Sequence, residues 1–161
     1  MLYWLLAAPL TVLVFLYVLI LIRLGTGTYA LDPQDAGTGK SKGRGTFEPH
    51  NRNYMELAKL VIGLGSASIA ALAIFFFKAD DAVHGLRRYI ASPLIFFAAT
   101  VVYGVAFIGL LVWRYEKYCH DSNSYTSRWY ALVAALGASM MVSLALGYAV
   151  FVGILLHFLN S

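Results

Sequence analysis

Hydrophobic positions along the chain fall into four long stretches that contain no Asp, Glu, Lys or Arg. A helix needs about 20 apolar residues to cross about 30 Å of hydrocarbon, and each stretch meets or approaches that length. Extended to their polar boundaries, the stretches predict transmembrane helices at about residues 2–24, 54–77, 89–114 and 128–158. We therefore expect an all-α integral membrane protein, with four transmembrane helices in a compact bundle that forms a single membrane domain, 1–161.

The basic residues predict the orientation of these helices. Nine of the twelve Lys and Arg side chains lie in or beside the first and third loops, about 25–53 and 115–127, and three lie around the second loop, about 78–88. The positive-inside rule places the more basic loops in the cytoplasm. Both termini are then outside, and the expected location is the cytoplasmic membrane of a bacterium or archaeon, as a multi-pass protein.

Composition agrees with this assignment and excludes several classes of function. The chain is 60% hydrophobic and 12% charged, which is too apolar for a soluble globule. Its single cysteine, Cys119, excludes an internal disulfide and a zinc site built on paired cysteines. The central part of each span lacks ionisable carboxylates, lysines and arginines, so an ion-coupled transporter is not expected. We expect no catalytic, cofactor-binding or metal-binding residues, no enzymatic activity and no direct nucleic acid binding.

Small residues recur every four positions on two of the predicted helices. Such stripes let helix backbones approach closely, which is how helices gain packing energy in lipid. Two arrangements are open: the stripes pack the helices of one protomer, or one stripe pairs with another copy or another subunit. The first span is rich in leucine instead, and predicts an outer helix. The residues predicted at helix-packing or oligomer interfaces are Gly63, Ala67, Ala71, Ala135, Ser139, Ser143 and Gly147.

Charges also occur at the boundary of the second span. Asn53 and Glu56 have the spacing of a capping box, which predicts a helix start near Tyr54. Glu56 and Lys59 are three residues apart on one helix face and are expected to form a boundary ion pair. That pair either lies at the surface, with Lys59 reaching the headgroups, or faces the bundle and marks an entry, a gate or a docking point.

The basic residues of the first and third loops are candidate contacts for a cytoplasmic partner or for anionic lipid. Gly39-Lys40-Ser41 has the ending of a phosphate-binding loop, but Gln34 occupies the position of its first glycine, so no nucleotide site is expected. Aromatic residues, Trp113 and Trp129 among them, are expected at the interface between the membrane and the cytoplasm. The candidate contacts are Lys40, Lys42, Arg44, Arg114, Lys117 and Arg128.

Three functions from different classes fit this sequence. The first, which we favour, is a non-catalytic four-helix membrane subunit that oligomerises, or that anchors and regulates a cytoplasmic partner. The second is a pore-forming or membrane-perturbing effector of the toxin or phage-defence type, in which several copies surround an uncharged path. The third is an integral-membrane enzyme, which the lack of clustered polar residues within the spans argues against.

Overall fold

The computed structural model describes residues 10–20, 47–78, 84–120 and 127–159, and every one of these segments is helical. Helix α1 comprises Leu10–Ile20. Helices α2, α3 and α4 comprise Phe47–Lys78, His84–His120 and Ser127–Leu159. The three longer helices are long and apolar enough to cross a membrane, and α1 is a shorter apolar helix. The protein is therefore all-helical in its described part, with the composition of a membrane protein.

The start of α2 differs from the prediction. The helix begins at Phe47 rather than near Tyr54, so Asn53 lies inside it and the expected capping box is wrong. Pro49 is the third residue of this helix. The first-turn N–H groups of a helix have no acceptor within it, so a proline costs little at that point.

Helix α3 also extends beyond its predicted span at both ends, and it contains a buried proline. Pro93 removes one backbone donor, which would otherwise bond to the carbonyl group of Tyr89. Its ring is almost completely inaccessible. In a membrane-spanning helix, neighbouring helices commonly compensate for the hydrogen bond that a proline removes. Helix α3 has neighbours on two sides because it lies between α2 and α4.

The helices α2, α3 and α4 pack in alternating directions. Gly147 lies against Phe97, and Gly137 lies against Phe107, so α3 and α4 are antiparallel. Contacts of Gly65 with Thr100 and of Gly104 with Ile62 show that α2 and α3 are antiparallel too. This alternation is the arrangement that successive membrane crossings require.

Buried hydrophobic residues form two clusters near opposite ends of these three helices. One cluster joins the beginning of α2, the end of α3 and the beginning of α4; the other joins their opposite ends. The buried residues between the clusters include Thr100, Ser139 and Ser143, which are small and polar. Two apolar zones therefore enclose a middle zone in which the helix backbones approach closely. The first cluster comprises Ala58, Val61, Phe107, Leu111, Val133 and Met140. The second comprises Leu72, Ile90 and Phe97.

Helix α1 lies at the periphery, as its leucine-rich sequence predicts. Most of its large apolar side chains are exposed, including Leu13, Leu16 and Ile20. It meets α3 at Tyr103, whose hydroxyl donates a hydrogen bond of 2.9 Å to the backbone oxygen of Thr11 and whose ring stacks on Phe15 at 5.8 Å. One aromatic side chain thus supplies both a polar and an apolar contact to α1.

Candidate functional site

The predicted stripe on α4 lies inside the helix packing. Ala135, Ser139 and Ser143 are fully or almost fully buried, and Gly147 is buried as well. A Cβ atom on Gly147 would lie 2.7 Å from Cε1 of Phe97, closer than real Cβ contacts. This stripe therefore belongs to the contact between α3 and α4 within one protomer.

The predicted stripe on α2 lies on the opposite side of its helix from the packed face. Gly63, Ala67 and Ala71 are all exposed. The residues of α2 that face the other helices are a different set, which includes Ala58, Val61, Gly65 and Leu72. A Cβ atom on Gly63 would meet nothing within 4 Å. The two stripes that the sequence presents alike are thus used differently.

The exposed side of α2 also includes the small residues that lie beside the predicted stripe. Ser66 and Ala70 are exposed as well, so positions 63, 66, 67, 70 and 71 follow the spacing of one continuous helix face. The large side chains of Leu60 and Ile74 are exposed at the two ends of this run. We give the name α2 small face to the exposed surface formed by Leu60, Gly63, Ser66, Ala67, Ala70, Ala71 and Ile74.

A second exposed run of small residues occurs on α4 and was missed from the sequence. Ala145, Ala149 and Gly153 are four residues apart and exposed, and a Cβ atom on Gly153 would meet nothing within 4 Å. The same four-residue spacing that identified the other stripes was the available signal. This run is shorter than the α2 small face and includes no hydroxyl.

Polar side chains join α2 to α4 near the α2 small face. The hydroxyl groups of Ser68 and Tyr148 are 2.8 Å apart, and the Ser68 hydroxyl donates to the backbone oxygen of Leu64, also at 2.8 Å. With its proton used in that bond, Ser68 accepts from Tyr148. The Tyr148 ring also packs edge-on against Phe97 at 5.0 Å. The hydroxyl pair thus links α2 to α4, and the ring contact links α4 to α3.

The boundary charges of α2 lie at its surface. Nζ of Lys59 is 3.6 Å from Oε1 of Glu56, and both side chains are more than half exposed. They do not face the packed interior, so the structure offers no support for a gate or an entry there. Exposed pairs of this kind contribute about 0–1 kcal/mol to stability.

Two tryptophans and two cations gather where α3 ends and α4 begins. The guanidinium carbon of Arg114 lies 4.2 Å from the ring centre of Trp129 and 5.6 Å from that of Trp113. Nζ of Lys117 lies 4.6 Å from the Trp113 ring centre, and the two indole rings meet edge-on at 5.8 Å. We call these four residues the Trp/Arg/Lys cluster.

Accessibility differs sharply within this cluster. Arg114 is 4% exposed, whereas Trp113 is 45% exposed and Lys117 is exposed. Arg114 was named from the sequence as a contact for a partner or for lipid, and its burial leaves it inaccessible from outside the protomer. Its guanidinium lies beside both indoles, and its contact with Trp129 links α3 to α4. Lys117 and Trp113 are the accessible members.

Of the four remaining basic candidates, only Arg128 lies within the residues that the structure describes. Arg128 lies in the first turn of α4. Lys40, Lys42 and Arg44 lie outside the described residues, and their contact with a partner or with lipid stays a prediction. Among the residues that the structure describes, no three His, Cys, Asp or Glu side chains are grouped so that they could hold a metal ion.

The described geometry is thus that of contact surfaces: an exposed face of small residues on α2 and an aromatic and basic cluster at one end of α3 and α4. Comparison with protein-family models, with curated proteins and with solved structures finds no match to this chain.

Proposed function

We propose that the protein is a non-catalytic membrane subunit that assembles with further copies of itself through the α2 small face. Its four helices cross the membrane as a compact bundle in this proposal. The observation that carries it is the unequal use of the two stripes: the α4 stripe is buried in the protomer, and the small residues of the α2 small face, positions 63–71, are exposed along about two helical turns.

The physical reason concerns how helices associate in lipid. Lipid tails are as apolar as leucine, so association depends on close packing and interhelical hydrogen bonds, both of which small residues promote. A backbone covered only by Gly, Ala and Ser leaves a shallow groove in which another helix fits closely. The hydroxyl of Ser66 adds a polar group on the same face.

The proposed partner is a second copy because the face can pair with itself. Two protomers related by a two-fold axis present the same patch to each other, which is the commonest symmetry of homo-oligomers. The exposed Leu60 and Ile74 would then pack at the two ends of the contact. No charged residue lies between Leu60 and Ile74 to oppose this approach.

The single native cysteine allows a direct test of this interface. In a Cys119→Ser background, Ala67→Cys places a thiol on the α2 small face, and Ala149→Cys places a matched thiol on the exposed run of α4. We expect oxidation in native membranes to give a disulfide-linked dimer with Ala67→Cys and little with Ala149→Cys. A dimer from the α4 variant alone would place the interface on α4.

A steric variant tests the same face without a cross-link. Ala67→Leu should dissociate the assembly in mild detergent, as light scattering on a sizing column would show, and Ala149→Leu should leave it intact. Because position 67 is exposed in the protomer, the thermal stability of the dissociated protomer should be unchanged. Wild-type assembly in Ala67→Leu, together with no Ala67→Cys cross-link, would refute the proposal.

The proposed topology places both termini outside and loops one and three in the cytoplasm. Its support is the nine-to-three distribution of basic residues, together with the alternating directions of α2, α3 and α4. The Trp/Arg/Lys cluster then lies at the inner surface of the membrane.

A further inference from the structure

We infer that the Trp/Arg/Lys cluster binds the phosphate group of an anionic phospholipid, with Lys117 and Trp113 as its direct contacts. This site is separate from the α2 small face, so lipid binding can be tested independently of self-assembly. The inference rests on the depth of the cluster, on the accessibility of its members and on its positive charge.

The cluster lies at the depth of lipid headgroups. The apolar span of α3 ends at Lys117, and that of α4 begins at Ala131. Trp113 lies four residues before the end of the α3 span, and Trp129 lies two residues before the beginning of the α4 span, so both indoles are close to the boundary of the apolar region. Indole rings favour this boundary because one edge is apolar and the other carries an N–H donor.

The accessible part of the cluster offers a positively charged donor and an apolar surface, which suit the phosphodiester and the adjoining apolar part of a lipid. Nζ of Lys117 is held over the Trp113 ring at 4.6 Å, which restricts a side chain that is otherwise long and flexible. A lysine ammonium carries three hydrogen-bond donors for phosphate oxygens. The exposed indole beside it offers apolar surface to the glycerol and the first carbons of the acyl chains. A soluble anion has no group to cover that surface, and so the geometry favours a lipid.

Arg114 acts as a positioning residue in this site. It is buried, so it does not touch the ligand, but its guanidinium lies 4.2 Å from Trp129 and fixes that ring beside Trp113. Its charge adds to that of Lys117, and the low-dielectric surroundings strengthen the field at the surface. Glu116 is exposed on the same helix and is the nearest opposing charge in sequence. Successive helical side chains diverge by about 100°, so Glu116 points away from the Lys117 side.

The boundary lysine of α2 provides a natural comparison. Lys59 is also exposed at the edge of an apolar span, but its ammonium lies 3.6 Å from the carboxylate of Glu56. An intramolecular carboxylate offsets much of its attraction for a phosphate. Lys59 is therefore the matched control: the same charge, at the edge of a neighbouring helix, without the indole support.

The test uses quenching of tryptophan by brominated lipids. The protein, with Trp4→Phe so that only Trp113 and Trp129 emit, is reconstituted in phosphatidylcholine vesicles that contain a minority of phosphatidylglycerol. Bromine is placed on one lipid or on the other. We expect brominated phosphatidylglycerol to quench more than its share of the bilayer predicts, and added salt to reduce that preference.

Variants assign the preference to the site. Lys117→Gln should weaken it about five-fold, the factor that corresponds to about 1 kcal/mol for one basic residue. Lys117→Arg and Lys59→Gln should retain it. Equal quenching by the two brominated lipids in the wild type, or an equal loss in Lys59→Gln and Lys117→Gln, would overturn the proposal. So would inorganic phosphate that abolishes the preference when chloride of the same ionic strength does not, since the site would then serve a soluble anion.

Discussion

Among the glycines of the described helices, Gly104 has the least room for a side chain, and Gly104→Ala is the sharpest test of how α2, α3 and α4 pack. A Cβ atom there would clash with Cγ1 of Ile62 on α2, and would lie 2.9 Å from its Cδ1 and 3.0 Å from Sδ of Met140 on α4. The Met140 side chain is flexible, but Cγ1 of Ile62 is one bond from its Cβ, and a β-branched residue has a single strongly preferred rotamer in a helix. The added methyl group must therefore displace α2.

The expected change in stability on Gly104→Ala is the sum of two opposing effects. Forcing extra carbon into a packed interior costs about 1–3 kcal/mol. Replacing glycine by alanine within a helix stabilises by about 1 kcal/mol. Gly109, five residues along the same helix, is exposed, and a Cβ atom there would meet nothing within 4 Å. Because both substitutions share the propensity gain, the difference between Gly104→Ala and Gly109→Ala isolates the steric cost, which we expect to be about 1–3 kcal/mol.

The measurement is unfolding by SDS in mixed micelles, followed by tryptophan fluorescence. Gly104→Ala should unfold at less SDS than Gly109→Ala. Adding Ile62→Ala, which removes the clashing atoms, should make Gly104→Ala less costly than it is in the wild-type background, a coupling that a double-mutant cycle detects. Equal stability of the two glycine variants, with no coupling to position 62, would refute the close packing of Gly104 against Ile62.

Two further predictions concern α1 and the topology. Tyr103→Phe keeps the ring that stacks on Phe15 and removes the hydrogen bond to Thr11, a loss of about 0.6 kcal/mol and at most about 1.7 kcal/mol. Amide hydrogen exchange in α1 should therefore accelerate. The control is Tyr148→Phe, which removes a hydroxyl bonded to α2 and should leave exchange in α1 unchanged. A cytoplasmic activity reporter fused after Ser161 should be silent and one inserted near Gly39 active, because the basic loops remain in the cytoplasm; the opposite pattern would invert the proposed topology.

The helices themselves were predictable because their signal is local. A long apolar run has to be helical to satisfy its backbone in lipid, so α2, α3 and α4 could be located from hydrophobicity alone. Helix ends were less predictable: Asn53 and Glu56 predicted a start near Tyr54, yet α2 begins at Phe47 and has Pro49 in its first turn, where the missing N–H costs little. The peripheral position of α1 followed from its lack of small residues.

Which face of each helix is buried was decided only by the tertiary structure. In a soluble protein the polar face of a helix identifies its outside, but both faces of a membrane helix are apolar, and the hydrophobic pattern does not distinguish them. The stripes that begin at Gly63 and Ala135 look alike in sequence, and only the packing of α3 buries the second and leaves the first exposed. The burial of Arg114 beside two indoles likewise depends on where α3 and α4 meet, because the two tryptophans come from different helices.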